Sequence, residues 1–155
     1  MTAAAVRVAE ALEQAGVEAE VREFAESTRT AQEAAAAIGT TLGRIVKSLV
    51  FLSGDQPILA LVSGENRVDT QRLEEITGGS ITRASADDAR AATGFSIGDV
   101  PPVGHPARLA TYLDQDLLQY DEVWAAAGTR NTVFRITPME LQRITDATVV
   151  DLAAR

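Results

Sequence analysis

The sequence predicts an α+β fold, a single compact domain built on a mixed β-sheet, and three observations carry that expectation. Helical and strand patterns interleave along the whole chain. Two strongly apolar runs are joined by a short loop, as in an antiparallel hairpin. Finally, 155 residues with 46% hydrophobic and 23% charged side chains suit one real core and are too few for two comfortable domains. Aromatic residues make up only 5%, so that core must rest on Val, Ile, Leu and Ala.

The elements follow in order. From residue 2 to about 15, Val6, Ala9, Leu12 and Ala15 stand close to helical spacing, and Gly16 is the stop. Val17, Ala19 and Val21 then alternate with Glu18, Glu20 and Arg22, the pattern of a half-buried strand running to Phe24. Thr30-Ala31-Gln32-Glu33 has capping-box form and opens an Ala-rich helix that ends near Gly39. Ile45 to Leu52 and Pro57 to Ser63 are the hairpin strands, separated by Ser53-Gly54-Asp55-Gln56. Asp69 caps a helix carrying Leu73 and Ile76 and closed by Gly78-Gly79. Ser85 opens another short helix that stops at Gly94. Arg108 to Leu113, Glu122 to Ala126 and Val133 to Ile136 read as strands. Thr137-Pro138-Met139-Glu140 is a second capping box with Pro at the first helical position, and Thr148 to Leu152 is expected as a last strand. No repeat, low-complexity tail or internal boundary interrupts residues 1–155, which are expected to form one domain.

Composition narrows the function. Fourteen Lys plus Arg against 22 Asp plus Glu leave a net charge of −8, the wrong sign for a broad nucleic-acid footprint. Contact with RNA would be local. The absence of Cys excludes disulfides and thiolate chemistry, and one His, His105, cannot build a His-rich zinc site; neither metal nor cofactor is expected. The N-terminus lacks the basic and apolar stretches of a signal peptide, and no run reaches about 18 apolar residues, so a cytoplasmic protein without a membrane partner is expected.

Thirteen of the fourteen basic residues are Arg; the exception is Lys47, inside the most apolar strand. By period two it shares a face with Ile45, Leu49 and Phe51, while Ser48 lies on the other. An ammonium in that company is costly unless partnered, and Lys, unlike Arg, can lose its proton when desolvated. A lysine guarding an edge strand is the structural alternative. The stretch Gly94 to Pro106 has Gly or Pro at six of its thirteen positions. Gly98 and Gly104 permit close backbone approach, Pro101 and Pro102 stiffen the segment, and its amides could face a carbonyl or carboxylate. Alternatively it is only a crossing between helix and strand. The turn Gly128-Thr129-Arg130-Asn131 offers a hydroxyl and an amide, yet Gly and Asn are also what a plain hairpin turn requires. For His105 no Gly-x-Ser-x-Gly motif supplies a triad partner.

Taken together, Ile45-Val46-Lys47-Ser48-Leu49-Val50, the loop from Gly94 to His105 and the Gly128-Thr129-Arg130-Asn131 turn before Val133 resemble the YbaK family, also called the prolyl-tRNA-synthetase-associated editing domain. The resemblance spans roughly Val17 to the C-terminus. It implies a barrel-like mixed sheet surrounded by helices. It also implies a deacylase acting in trans on the ester of mischarged tRNA, most readily of the tRNA(Pro) type. Lys47 would be its catalytic anchor, with Gly98, Pro101, Pro102, Gly104, His105, Gly128, Thr129 and Asn131 shaping the substrate pocket. Its partner would be the 3′ end of aminoacyl-tRNA, with a synthetase or elongation factor as carrier. The chain departs from the family pattern at Asp99, where many members have Gly, and at Pro101-Pro102, where cysteinyl-tRNA deacylase members look closer to Ser-Pro; both bear on amino-acid specificity. Two other classes stay open at this point. One is a non-catalytic module binding a small molecule or the tRNA end in the same pocket. The other is an interaction protein using the Ala-rich helix from Thr30.

Overall fold

Capping decides most of the helix boundaries. In the computed structural model, which describes residues 1–155, Thr2 caps α1 (Ala3–Gln14). Thr30 and Glu33 form a reciprocal capping box at α2 (Ala31–Ile38). Asp69 accepts two amide bonds at α3 (Thr70–Thr77), Ser85 and Asp88 box α4 (Ala86–Thr93), and Thr137 caps α5 (Pro138–Thr145). Each cap satisfies amides that the first helical turn would otherwise leave without partners. Gly39, Gly78 and Gly94 end three of these helices in the left-handed conformation that a side chain resists.

Eight strands complete the fold: β1 (Val21–Glu23), β2 (Ile45–Ser53), β3 (Gln56–Ser63), β4 (Ile81–Arg83), β5 (Ala110–Asp114), β6 (Val123–Ala126), β7 (Thr132–Ile136) and β8 (Thr148–Val150). They form one mixed sheet in the order β1-β7-β6-β2-β3-β5-β8, with β4 paired to β2 off this path. The β2–β3 hairpin is antiparallel from Val46↔Ser63 to Ser53↔Gln56, so its turn is only Gly54-Asp55. The β2–β6, β3–β5 and β5–β8 pairs are parallel. Strand β1 is shorter than the alternation from Val17 predicts. Val17 N–H donates to Leu12 O beyond Gly16, so the segment first closes α1 and pairs with β7 only from Val21. Strand β4 and the 3-10 turns Leu42–Arg44 and Gln115–Gln119 carry no periodic pattern in the sequence.

The sheet curls so that residues from distant strands meet. Leu61 of β3, Leu113 of β5, Ala125 of β6 and Phe134 of β7 share one core with Val8 and Leu12 of α1 and Leu141 of α5. On the convex side Ala31 and Ala34 of α2 pack on Ile45, Trp124 and Val133, so these small residues serve close packing within the fold. Farther along β2, Phe51 packs with Ile58, Ala60 and Leu73 of α3. Even-numbered Val46 and Val50 thus face inward and odd-numbered Ile45 and Phe51 outward, with Lys47 between two outer apolar clusters. No helix is long and apolar enough to cross a membrane.

Candidate functional site

Strand β2 changes partner along one edge, and that change creates the site. Ile45 and Val46 pair with β6, whereas Phe51 to Ser53 pair with β4. Val50 O accepts Ala84 N–H at 3.2 Å, leaving Lys47 to Leu49 without a strand neighbour on that edge. A cavity of about 300 Å³ opens in the split. Its walls include Lys47 and Ser48 of β2, Arg29 before α2, Trp124 of β6, Arg83 of β4 and Gly98 of the long loop. Of the residues singled out in the sequence, Lys47 and Gly98 therefore meet in one cavity.

Lys47 is partly buried, and its Nζ donates to the main-chain oxygen of Asn66. The Asn66 side chain in turn donates to Asp114 Oδ2 at 2.9 Å and Asp116 Oδ2 at 2.8 Å, pinning the loop after β3 that carries this acceptor. Asp114 is fully buried and also accepts Ser63 N–H. Burial pushes the ammonium below the ordinary lysine range; Arg67 nearby acts in the same direction, and Asp114 opposes both. The amine is thus held in one place while its proton is loosened. Ser48 Oγ is buried without a hydrogen-bond partner, the kind of group that costs stability unless something fills its valence.

The long loop divides in two. In its first half Asp99 N–H donates to Ser96 O at 2.9 Å, a tight turn with Gly98 at φ +89°. The amides of Ile97, Gly98 and Val100 have no acceptor within the chain, and all three residues line the cavity. The second half turns away. Pro101 and Pro102 are buried, and Pro102, Gly104 and His105 border a separate depression beside α1. His105 Nε2 donates to Pro101 O at 2.7 Å and meets the Phe95 ring edge-on, with centroids 6.3 Å apart. Burial lowers its pKa, and the bond to Pro101 offsets part of that shift, so the ring is neutral at pH 7.

The β6–β7 turn also sits behind the cavity wall. A Cβ on Gly128 would lie 2.9 Å from Phe95 Cε1 and 3.1 Å from Ala4 O, so this glycine lets α1 and Phe95 close on the turn. Thr129 and Thr132 bond each other through their hydroxyls at 2.6 Å. Asn131 exchanges main-chain and side-chain bonds of 2.8 Å with Phe24, and Arg130 O accepts Thr28 N–H at 2.6 Å. These residues hold the segment that leads to Arg29 and do not themselves line the cavity.

Arg29 gave no signal in the sequence, one arginine among thirteen. In the structure its guanidinium forks onto Asp99, Nε to Oδ1 at 2.9 Å and Nη2 to Oδ2 at 3.0 Å. Asn66, Asp114 and Arg83 were equally silent, because each gains meaning only from a neighbour distant in the chain.

Comparison with known proteins gives the class of a chain that carries this split-sheet cavity, one anchored lysine and unclaimed loop amides. Residues 25–144 match the model of the aminoacyl-tRNA editing domain, and the chain belongs to that family. It is 37% identical over 125 residues to the uncharacterized protein YwhH of Bacillus subtilis (strain 168), covering 80% of each chain. It is 26% identical over 134 residues to "Putative Cys-tRNA(Pro)/Cys-tRNA(Cys) deacylase EbsC" of Enterococcus faecalis (strain ATCC 700802 / V583), covering 85% of this chain and 82% of that one. A crystal structure described as "a putative trans-editing enzyme for prolyl tRNA synthetase" superposes with a TM-score of 0.96 at 49% identity, covering 100% of this chain and 99% of the other.

Proposed function

We propose that the chain, acting over its full length as one editing domain, is a trans-acting aminoacyl-tRNA deacylase. Its substrate class is mischarged tRNA, with tRNA(Pro)-type substrates first. The observation that carries this reading is that Lys47 lines the same cavity as Gly98 and the unclaimed amides around it. Membership of the editing family and the names of the relatives support it.

In the proposed reaction a water oxygen adds to the aminoacyl carbonyl carbon, and the bond from that carbon to the ribose oxygen breaks. The water's proton ends on the ribose oxygen, releasing free amino acid and uncharged tRNA. The Gly98 region would donate N–H bonds to the carbonyl oxygen as it gains charge. Lys47 would fix the aminoacyl end electrostatically, and a hydroxyl of the terminal ribose would orient the water. No covalent enzyme intermediate is needed. Positioning alone contributes on the order of 7 kcal/mol when the partners are well aligned, enough for an activated ester.

Arg83 puts positive charge at the cavity, while Asp99 offsets that of Arg29, in a chain of net charge −8, so recognition would centre on the acylated end. Binding should weaken only shallowly with salt, with a slope equivalent to about one or two phosphate contacts. A panel of mischarged tRNAs tests the whole reading. Wild type should cleave the ester of at least one, Lys47→Ala should not, and Lys47→Arg should fail to rescue because the fork is bulkier. If every ester stays intact while small ligands bind in calorimetry, the domain is a binding module.

A further inference from the structure

The mouth of the cavity is tied shut on one side by two segments far apart in the chain. Asp99 is 7% exposed, and its carboxylate takes both hydrogens of the Arg29 fork. A buried carboxylate with a bidentate partner is a stiff junction, since breaking it strands a charge away from water. The Arg29 stem passes so close to Gly98 that a Cβ there would lie 3.2 Å from both Cγ and Cδ. Both ends of the junction are themselves anchored. Thr28, next to Arg29, bonds to Arg130 of the β6–β7 turn, and Asp99 N–H closes the turn from Ser96. Ile97, 48% exposed, stands at the tip of that turn over the opening.

We infer that Arg29 and Asp99 form a specificity clamp. By locking the Ser96–Asp99 turn beside the cavity that holds Lys47, the pair sets the width of the opening and so which sizes of aminoacyl side chain enter. The substrate class rests on the deacylase reading; the clamp itself does not. Arg29 and Asp99 act as positioning residues, through the turn they hold.

Trp124 is the only tryptophan and lines the cavity, so its fluorescence reports both access and ligand binding. Arg29→Ala and Asp99→Ala should raise the acrylamide quenching constant of Trp124 at least twofold, and the reversed pair Arg29→Asp/Asp99→Arg should bring it back toward wild type. Alanyl and leucyl 3′-amino-adenosine amides, which cannot be hydrolysed as esters, serve as binding probes. Wild type should discriminate between the two compounds, and each single variant should lose at least tenfold of that preference, with recovery in the reversed pair. The ratio of kcat/KM on alanyl and leucyl esters of one tRNA should move in parallel. Unchanged quenching, or an unchanged binding preference, overturns the clamp. An altered preference in a protein that cleaves no ester preserves the clamp and overturns the deacylase instead. Loss of thermal stability with equal loss of binding to both probes reduces the pair to a structural bridge.

Discussion

The two halves of the loop between Gly94 and Pro106 have similar composition and opposite roles. Gly98 and Gly104 even share a backbone angle, φ +89°. The first half sets Ile97, Gly98 and Val100, whose amides have no acceptor, on the cavity wall and aims its glycine at Arg29. The second half has two prolines with no amide to offer, ties its histidine to Pro101 O, and lies so near α1 that a Cβ on Gly104 would stand 3.7 Å from its main chain. Richness in Gly and Pro marks a rigid loop. Which part of it meets a ligand depends on which of its residues the tertiary structure sets on the cavity wall.

Substitutions can test that division. The largest effect should come from the lysine that shares the cavity with the first half: Lys47→Ala is expected to cut ester hydrolysis by a factor of about one hundred or more, with the circular dichroism spectrum unchanged. Ester turnover at the wild-type rate would remove the lysine from the chemistry.

Gly98→Ala and Gly104→Ala make the sharpest pair. Both put a side chain into the left-handed region at about 1–2 kcal/mol of strain. At Gly98 the added carbon also presses on the Arg29 stem, so kcat/KM should fall about tenfold. At Gly104 the contacts are ordinary, 3.6 Å to the Phe95 ring, so the loss should appear as a melting temperature about 3–6 °C lower, with a smaller change in kcat/KM than at Gly98. Equal catalytic losses would show that the halves work as one.

Ser48→Ala removes a buried hydroxyl that has no partner. Its melting temperature should hold or rise, by up to about 1 kcal/mol in stability, while kcat/KM falls about threefold. Lower stability with intact activity would make this hydroxyl structural.

The smallest effect belongs to His105. Its native pKa is depressed by burial, so below about pH 6.5 the unfolded chain binds the proton more readily than the native one. Stability should therefore decline as pH falls from about 6.5 toward the native pKa, then level off as far as this residue is concerned. The carboxyls of Glu33 and Asp151, held below their ordinary range by hydrogen bonds to Thr30 and to Arg72 and Arg155, act at lower pH. His105→Gln should flatten the upper part of the profile, and an unchanged slope in urea titrations between pH 7 and 5.5 would contradict this.

Much of this molecule is written locally. Thr30 with Glu33, Ser85 with Asp88, and the glycines at 39, 78 and 94 set helix ends by bonds and angles within a few residues, so a linear reading finds them. The alternation from Ile45 likewise puts Lys47 on the outward, apolar face of β2. Strand β4 is not legible in the sequence because three residues, Ile81 to Arg83, carry too little periodicity and pair only because β2 offers a free edge. Arg29 and Asp99 lie seventy positions apart, and Asn66 and Asp114 forty-eight. Sequence by itself determined the elements, their caps and the residue types able to act. Tertiary structure decided which of them share a cavity, because the split in β2 and the ion pair at its mouth arise from contacts that exist only once distant segments have closed on one another.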